Sequence, residues 1–266
     1  MTAKIGSPLF ILRDECQKDL MAVLERLAET GFDGVEFLGL FGHKPAEIRK
    51  KLDSIGLKAV GDHVPFDIFV DNTGKVIEEH MEIGCQYLTI NAPGADGLPG
   101  GKDYARTIES FKKIGEAMNA ADMTLLFHNH AGELKQSTNG KSILENIMND
   151  TDAQLLYLEP DLGWMRIGGA EPMYYLEKYR DRCLVVHFKD YVRTETDEKE
   201  NFRFRPTGYG IMDNAVLYAK TLSFDVKPEW YITDHDCAYG RDIYFDLKIS
   251  LEYLKNLMAV TGHDLR

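Results

Sequence analysis

Histidine and carboxylate residues recur in short motifs along this 266-residue chain, and together they could bind a divalent metal ion. The motifs are Glu36, Asp62-His63, His128-Asn129-His130 with Glu133, Glu159 with Asp161, His187 with Lys189, and Asp234-His235-Asp236. So many charges in one place would repel one another without a cation, because buried charges are costly unless they are paired or bind a metal. Carboxylate and imidazole ligands favour Mn²⁺, Fe²⁺, Co²⁺ or Zn²⁺ over metals that prefer sulfur.

These motifs lie at the ends of short apolar runs that predict buried β-strands, with an amphipathic helix predicted after each strand. The predicted strands are 5–12, 34–37, 57–61, 87–91, 124–129, 155–158, 184–188 and 230–233. The predicted helices are 19–29, 45–55, 76–83, 104–119, 142–148, 172–179, 214–221 and 243–257. Eight alternating units predict an α/β protein, a single (β/α)8 TIM-barrel domain over residues 1–266. An open doubly wound sheet is disfavoured because the chain has no glycine-rich phosphate turn.

A TIM barrel places its active site at the carboxyl ends of its strands. Five of the eight histidines follow predicted strands at that end: His63, His128, His130, His187 and His235. The other three, His43, His80 and His263, are interpreted as surface residues in helices or loops.

The composition favours a small-molecule enzyme over a nucleic-acid-binding or membrane protein. The net charge is −12, which would repel a polyanion. No run of about 18 apolar residues predicts a membrane span. The four cysteines are widely spaced, which favours reduced thiols and a cytoplasmic location. The sequence leaves the oligomeric state open, a homo-oligomer included.

The order of several motifs along the whole chain resembles the xylose-isomerase-like barrels. This family, often called sugar phosphate isomerases/epimerases, includes inosose dehydratases and ketose 3-epimerases. The matching segments are GFDGVE at 31–36, HNHAGE at 128–133, DLGW at 161–164, HFKD at 187–190, GYGIMD at 208–213 and WYITDHD at 230–236.

The resemblance implies one divalent metal ion, held by residues that follow the fifth to eighth barrel strands. Carried over by position, the ligands are Asp161, His187, Asp234 and one residue of the HNHAGE motif. Glu133 is preferred there as the motif's only carboxylate, with His128 as the alternative. Asp234 stands where the family usually has glutamate, and Glu159 is interpreted as lying behind the ligands. Mn²⁺ is favoured, with Co²⁺, Zn²⁺, Fe²⁺ and Mg²⁺ open.

The resemblance also implies proton transfer next to a carbonyl group of a sugar, keto-sugar or cyclitol, through a metal-stabilised enediolate. Candidate proton-transfer groups are His130, His63 and Glu36, with His235 as a further candidate. Lys189 would bind a substrate hydroxyl or an oxyanion, or else form a structural salt bridge. Substrate contacts are expected from His128, Trp164, His235 and Arg205, the last within a charged insertion at 191–206.

Two other functions remain open at this point. The aspartate at position 234 would suit a degenerate sugar-binding barrel or an accessory subunit without turnover. An endonuclease IV-like nuclease would share the barrel, but it would need a basic face, and the net charge argues against one.

Overall fold

Strands and helices alternate along nearly the whole chain. The computed structural model describes residues 3–91, 93–137, 139–195 and 201–264, with side chains described as far as residue 261. The strands are β1 (Lys4–Pro8), β2 (Gly34–Phe37), β3 (Lys58–His63), β4 (Tyr87–Ile90), β5 (Thr124–His128), β6 (Tyr157–Glu159), β7 (Val185–Arg193), β8 (Phe202–Arg205) and β9 (Trp230–Asp234). The helices are α1 (Arg13–Thr30), α2 (Pro45–Ile55), α3 (Phe66–Ile83), α4 (Tyr104–Ala120), α5 (Ile143–Asp150), α6 (Leu162–Ile167), α7 (Pro172–Lys178), α8 (Asn214–Leu222) and α9 (Ile243–Asp264).

The parallel strands curl into a closed barrel. Their order in the sheet is β6-β5-β4-β3-β2-β1-β9-β7, and β8 adds to β7 in the antiparallel direction. The ring closes between β6 and β7 through a parallel bridge between Asp161 and His187, where the His187 amide donates to the Pro160 carbonyl at 3.0 Å. The prediction of a (β/α)8 barrel is confirmed.

The inside of the barrel is apolar at the amino end of the strands and polar at the carboxyl end. A buried cluster fills the apolar part: Val60, Tyr87, Leu126, Val185, Trp230 and Ile232. Gly34 makes room for one of them, because a Cβ there would lie 2.6 Å from Cη2 of Trp230. Side chains two positions apart share a face of a strand. His128 therefore points inward above Leu126, and His187 above Val185.

The helix boundaries follow the expected proline and glycine signals. Pro45 and Pro172 occupy the first helical turns of α2 and α7, where no amide hydrogen bond is required. Gly31, Gly56 and Gly84 end α1, α2 and α3 in the left-handed conformation that favours glycine.

Several elements differ from the prediction. Helices α1 and α3 begin at Arg13 and Phe66, before the predicted residues 19 and 76. The first strand ends at Pro8 rather than at residue 12, because Phe10–Leu12 form a 3-10 turn. The predicted insertion at 191–206 is not simply a charged loop: β7 continues to Arg193 and pairs with β8. Residues 196–200 of that insertion lie outside the described residues. The short helix α6 was not predicted.

The interpretation of His80 as a surface residue is wrong. His80 lies on α3 but is buried against β3, and its Nε2 donates to Oδ2 of Asp62 at 2.8 Å. Its Nδ1 lies 2.7 Å from the Val76 carbonyl. The side chain of His263 lies outside the described residues.

The cysteines and the helices bear on two expectations from the sequence, reduced thiols and the absence of a membrane span. Cys16, Cys85, Cys183 and Cys237 are all free thiols. Within the described ranges, no helix combines the length and the apolar composition needed to cross a membrane.

Candidate metal centre and cavity

Polar side chains from four strands converge at the carboxyl end of the barrel. His63, His128, Glu159 and His187 each offer one potential ligand atom, and these atoms all lie within 4.8 Å of one another. We call these four residues the histidine group. Oε2 of Glu159 lies 3.0 Å from Nε2 of His63 and 3.0 Å from Nδ1 of His128.

Glu36 on β2 adds a second carboxylate beside the histidine group. Its Oε2 lies 3.1 Å from Nε2 of His63 and 3.1 Å from Nε2 of His187. The hydroxyl of Thr89 donates to Oε1 of Glu159 at 3.2 Å, which leaves Oε2 facing the histidines. Imidazole nitrogens and carboxylate oxygens are suitable donors for Mn²⁺, Fe²⁺, Co²⁺ and Zn²⁺. The residues present therefore fit a divalent ion.

A second set of potential ligand atoms lies next to the first and shares His187. Asp161, His187 and Asp234 form what we call the aspartate group. The ammonium of Lys189 lies 3.0 Å from Oδ2 of Asp161 and 3.0 Å from Oδ2 of Asp234, and it also bonds to Asp236. The aspartate group is thus already paired with a positive charge.

Asn129 fixes the backbone at Asp161. Its Oδ1 accepts from the Asp161 amide at 3.0 Å, and its Nδ2 donates to the Asp161 carbonyl at 3.3 Å. Asp161 also caps α6, because its Oδ1 accepts from the Trp164 amide at 2.8 Å. Its other carboxylate oxygen is left facing Lys189.

The two glutamates control the protonation of two histidines. Burial alone would lower the pKa of His63, but the charges of Glu36 and Glu159 outweigh it and raise this pKa to about 10. The same two carboxylates raise the pKa of His187 well above its usual value, against the effect of burial. Burial, together with the charge of Glu36, raises the pKa of Glu159 to about 7. The field at this point therefore favours positive charge.

The other two histidines of the site are neutral near pH 7. Burial, with a contribution from Lys189, lowers the pKa of His130 to about 4. Burial and the neighbouring imidazoles also lower the pKa of His128 well below its usual value. A neutral imidazole can accept a proton or bind a metal.

A cavity of about 90 Å³ opens above these groups. Its polar lining residues are Glu36, His63, Asn91, His128, His130, His187, Lys189, Asp234 and Asp236. The lining also includes four apolar residues, Pro8, Phe10, Phe37 and Leu38, which we call the apolar wall. Convergent polar groups together with apolar residues are found in many small-molecule sites.

The structure does not bring Glu133, the preferred fifth-strand ligand, into either group. The chain forms a 3-10 turn at Gly132–Leu134, and the Glu133 carboxylate folds back to accept from the His130 amide at 2.8 Å. His128, the alternative from the same motif, lies in the histidine group.

His235 and Arg205, expected to contact substrate, do not line the cavity. Because side chains alternate along β9, His235 points outward, and its Nε2 lies 3.5 Å from Oδ2 of Asp246 on α9. Arg205 lies at the end of β8, and its guanidinium donates to the Phe204 carbonyl at 3.1 Å.

Trp164 lies behind the cavity rather than in its lining. Its ring contacts the ring of His130 at 5.8 Å between centroids, and the ammonium of Lys189 lies 5.2 Å from the indole. The rings of Phe202 and Phe204 pack edge-on against the other parts of the indole.

The sequence analysis placed Glu159 behind the ligands, gave Asp236 no role of its own and did not identify the apolar wall. Glu159 lies in the histidine group rather than behind it, Asp236 bonds to Lys189, and Phe10 belongs to the apolar wall. The position of Glu159 could have been predicted. Tyr157 packs against the cluster inside the barrel, and Glu159, two residues further along β6, lies on the same face of the strand. The position of Phe10 depends on the 3-10 turn after β1, which no pattern in the sequence indicated.

A barrel with this lining at the carboxyl ends of its strands defines a TIM-barrel enzyme. Residues 24–222 match the family model described as xylose isomerase-like TIM barrel, and the chain belongs to that family. It is 26% identical over 275 residues to an inosose dehydratase of Geobacillus kaustophilus, covering 89% of this chain and 86% of the relative.

Solved structures share the fold. A sugar phosphate isomerase/epimerase from Parabacteroides distasonis aligns with a TM-score of 0.76 at 21% identity, covering 96% of this chain and 94% of the other. A probable 3-DHS dehydratase from Bacillus anthracis aligns with a TM-score of 0.71 at 12% identity, covering 95% and 98%.

Proposed function

We propose that this enzyme moves a proton next to a carbonyl group of a sugar, keto-sugar or cyclitol, with the help of one bound divalent metal ion. The observation that carries the proposal is the convergence of three imidazoles and a buried carboxylate beneath a small cavity. Mn²⁺ is the ion we propose to supply first, since it accepts both donor types. A bound divalent ion polarises a carbonyl oxygen and so eases removal of the neighbouring proton.

His130 is the group we assign to proton transfer. It lines the cavity, and its low pKa leaves the imidazole unprotonated at pH 7. A neutral imidazole that faces substrate can take up a proton and return it. Glu36 also lines the cavity. Burial alone would raise its pKa, but His187 and His63 outweigh that effect and hold the pKa below the usual range, so Glu36 serves better as a hydrogen-bond acceptor for a substrate hydroxyl.

We assign to Lys189 the stabilisation of the substrate oxygen on which negative charge develops during proton removal. Its ammonium lines the cavity, and three carboxylates hold it in place. Burial alone would lower the pKa of Lys189, but those carboxylates outweigh it and raise the pKa above its usual range. Lys189 therefore stays charged and acts as a fixed positive charge rather than as a proton donor.

The similarity to an inosose dehydratase and the convergent polar lining of the cavity support a monosaccharide or cyclitol as substrate. The fate of the carbanion decides the product: return of the proton gives epimerisation or isomerisation, and loss of a β-hydroxyl gives dehydration. Inososes are therefore the first substrates to test, followed by keto-sugars and 3-keto-glycosides.

The test is exchange with solvent deuterium. Protein loaded with Mn²⁺ is incubated in D₂O with each candidate, and deuterium at the carbon next to the carbonyl is measured by NMR. Removal of the metal with a chelator should abolish the exchange, whereas His43→Gln, a change at a loop histidine outside the cavity lining, should leave it unchanged. Folded, metal-loaded protein that exchanges none of these compounds would refute the proposal.

A further inference from the structure

Lys189 occupies the position that a metal ion would take in the aspartate group. Its ammonium lies at 3.0 Å from the carboxylates of both Asp161 and Asp234, and the side chain is only 1% exposed. Metal–oxygen distances for such ions are about 2.0–2.2 Å. A metal ion bound to both carboxylates would therefore overlap the ammonium, so the two cations exclude each other at this position.

The lysine is held in this position from several directions. Gly163 packs against its stem, where a Cβ would lie 2.7 Å from Cβ of Lys189. The rings of Trp164 and Phe204 each lie 5.2 Å from the ammonium, a distance that suits a cation–π contact. The stem and the ammonium of Lys189 are therefore both held by packing as well as by ion pairs.

In the part of the chain that the structure describes, no lysine or arginine is paired with the carboxylate of the histidine group. Among the described residues that line the cavity, the one lysine or arginine is Lys189. Its ammonium is directed to the two aspartates and not to the histidine group. Nε2 of His63 lies within 3.1 Å of two carboxylates but is not aligned for a hydrogen bond with either. Nδ1 of His187 faces Asp234, whereas Nε2 is directed to the histidine group, where it lies 3.3 Å from Oε1 of Glu36.

We propose that the histidine group holds the metal ion, with Glu159 as its carboxylate ligand, and that Lys189 is a built-in second cation that fills the aspartate group. The cavity then presents a metal ion and an ammonium side by side, suited to two neighbouring oxygens of one substrate. This inference rests on the proposed function for its substrate, but the placement of the two cations can be tested without one.

The first test is the number of Mn²⁺ ions bound per chain, measured on dialysed protein by elemental analysis and by calorimetry. The unchanged protein should bind one ion. Lys189→Met removes the ammonium and should raise the stoichiometry to two, whereas Lys189→Arg and the surface change Lys220→Met should leave it at one. A stoichiometry of one in a folded Lys189→Met protein would overturn the inference.

A second pair of variants tests the ligands directly. Glu159→Gln should weaken Mn²⁺ binding by more than about tenfold, while Asp161→Asn should retain one ion. The reverse order would return the metal to the aspartate group and refute the assignment, even if Lys189→Met failed to fold. If the stoichiometries come out as expected but no compound exchanges deuterium, the proposed function fails and the cation placement stands.

Discussion

Nδ1 of His187 lies 3.1 Å from Oδ2 of Asp234, while Nε2 of the same ring lies 3.1 Å from Oε2 of Glu36. The imidazole is thus oriented by a carboxylate on one side and faces the histidine group with its other nitrogen. Metal-bound histidines commonly donate their second N–H to a carboxylate in this way. This relationship explains why a short aspartate suits position 234: it reaches both His187 and Lys189 without entering the histidine group.

Asp234→Asn should weaken Mn²⁺ binding by about 10–100-fold without abolishing it, the effect expected for a residue that orients a ligand. Titration calorimetry on the purified variant measures this, with the surface change Asp53→Asn as its matched control. Complete loss of binding would identify Asp234 as a direct ligand.

His128→Gln and Glu133→Gln should separate the two candidates of the HNHAGE motif. The first removes an imidazole from the histidine group and should lower Mn²⁺ affinity more than about tenfold. The second leaves an oxygen that can still accept from the His130 amide, so affinity should stay close to that of the unchanged protein. Metal loss from Glu133→Gln alone would restore the ligand that the resemblance suggested.

Much of the barrel could be predicted from the sequence, because buried parallel strands are continuous apolar runs that end at polar residues. The bounds of β2 and α2 match the structure, since Gly34 and Gly56 mark them clearly. The strand β8 was missed although Phe202 and Phe204 alternate with arginines, a pattern typical of an antiparallel strand. The many charged residues of the 191–206 segment favoured a loop instead.

The position of the candidate site in the barrel could be predicted, but the contacts between its side chains could not. Alternation along β5 and β7 places His128, His187 and Lys189 on the inner face once the inward register of each strand is known. The distances that direct Lys189 to Asp161 and Asp234 depend on how β6 meets β7 in the closed barrel. No pattern along the sequence encodes that contact, so the ligand set carried over from the family could not be checked before the structure.

His130→Gln should bind Mn²⁺ normally but lose turnover by about 10²–10⁴-fold, the range for removal of a proton-transfer group. The imidazole lines the cavity but does not belong to either group of potential ligands. Deuterium exchange and Mn²⁺ calorimetry on the same preparation separate the two effects. If the variant lost both Mn²⁺ binding and deuterium exchange, His130 would be a metal ligand instead.

Phe10→Ala should raise the KM by about 2–10-fold with little change in kcat, because an aromatic contact is worth about 0.5–1.5 kcal/mol. Phe10 is 39% exposed at the apolar wall, where its ring can cover the C–H face of a sugar or cyclitol. Phe10→Tyr should preserve the KM, and Phe245→Ala, at a 60% exposed position on α9, serves as the control. An unchanged KM in Phe10→Ala would exclude the wall from substrate binding.

The buried pair of His80 and Asp62 should make stability depend on pH. Oδ1 of Asp62 accepts from the Gly39 amide at 2.8 Å, and Oδ2 accepts from His80, so the pair connects α3 and β3 to the loop beside Leu38 in the cavity lining. Burial alone would lower the pKa of His80, but the hydrogen bond and the charge of Asp62 raise it above 6.5.

A histidine whose pKa is raised by folding stabilises the protein fully below its unfolded pKa, and the contribution disappears as the pH rises through the folded value. His80→Gln should therefore cost about 1–3 kcal/mol at pH 6. The difference from the unchanged protein should shrink as the pH is raised above about 6.5 and through the raised pKa of His80. Urea unfolding of both proteins across this range measures it, and a difference that grows with pH would show that His80 is buried in its neutral form.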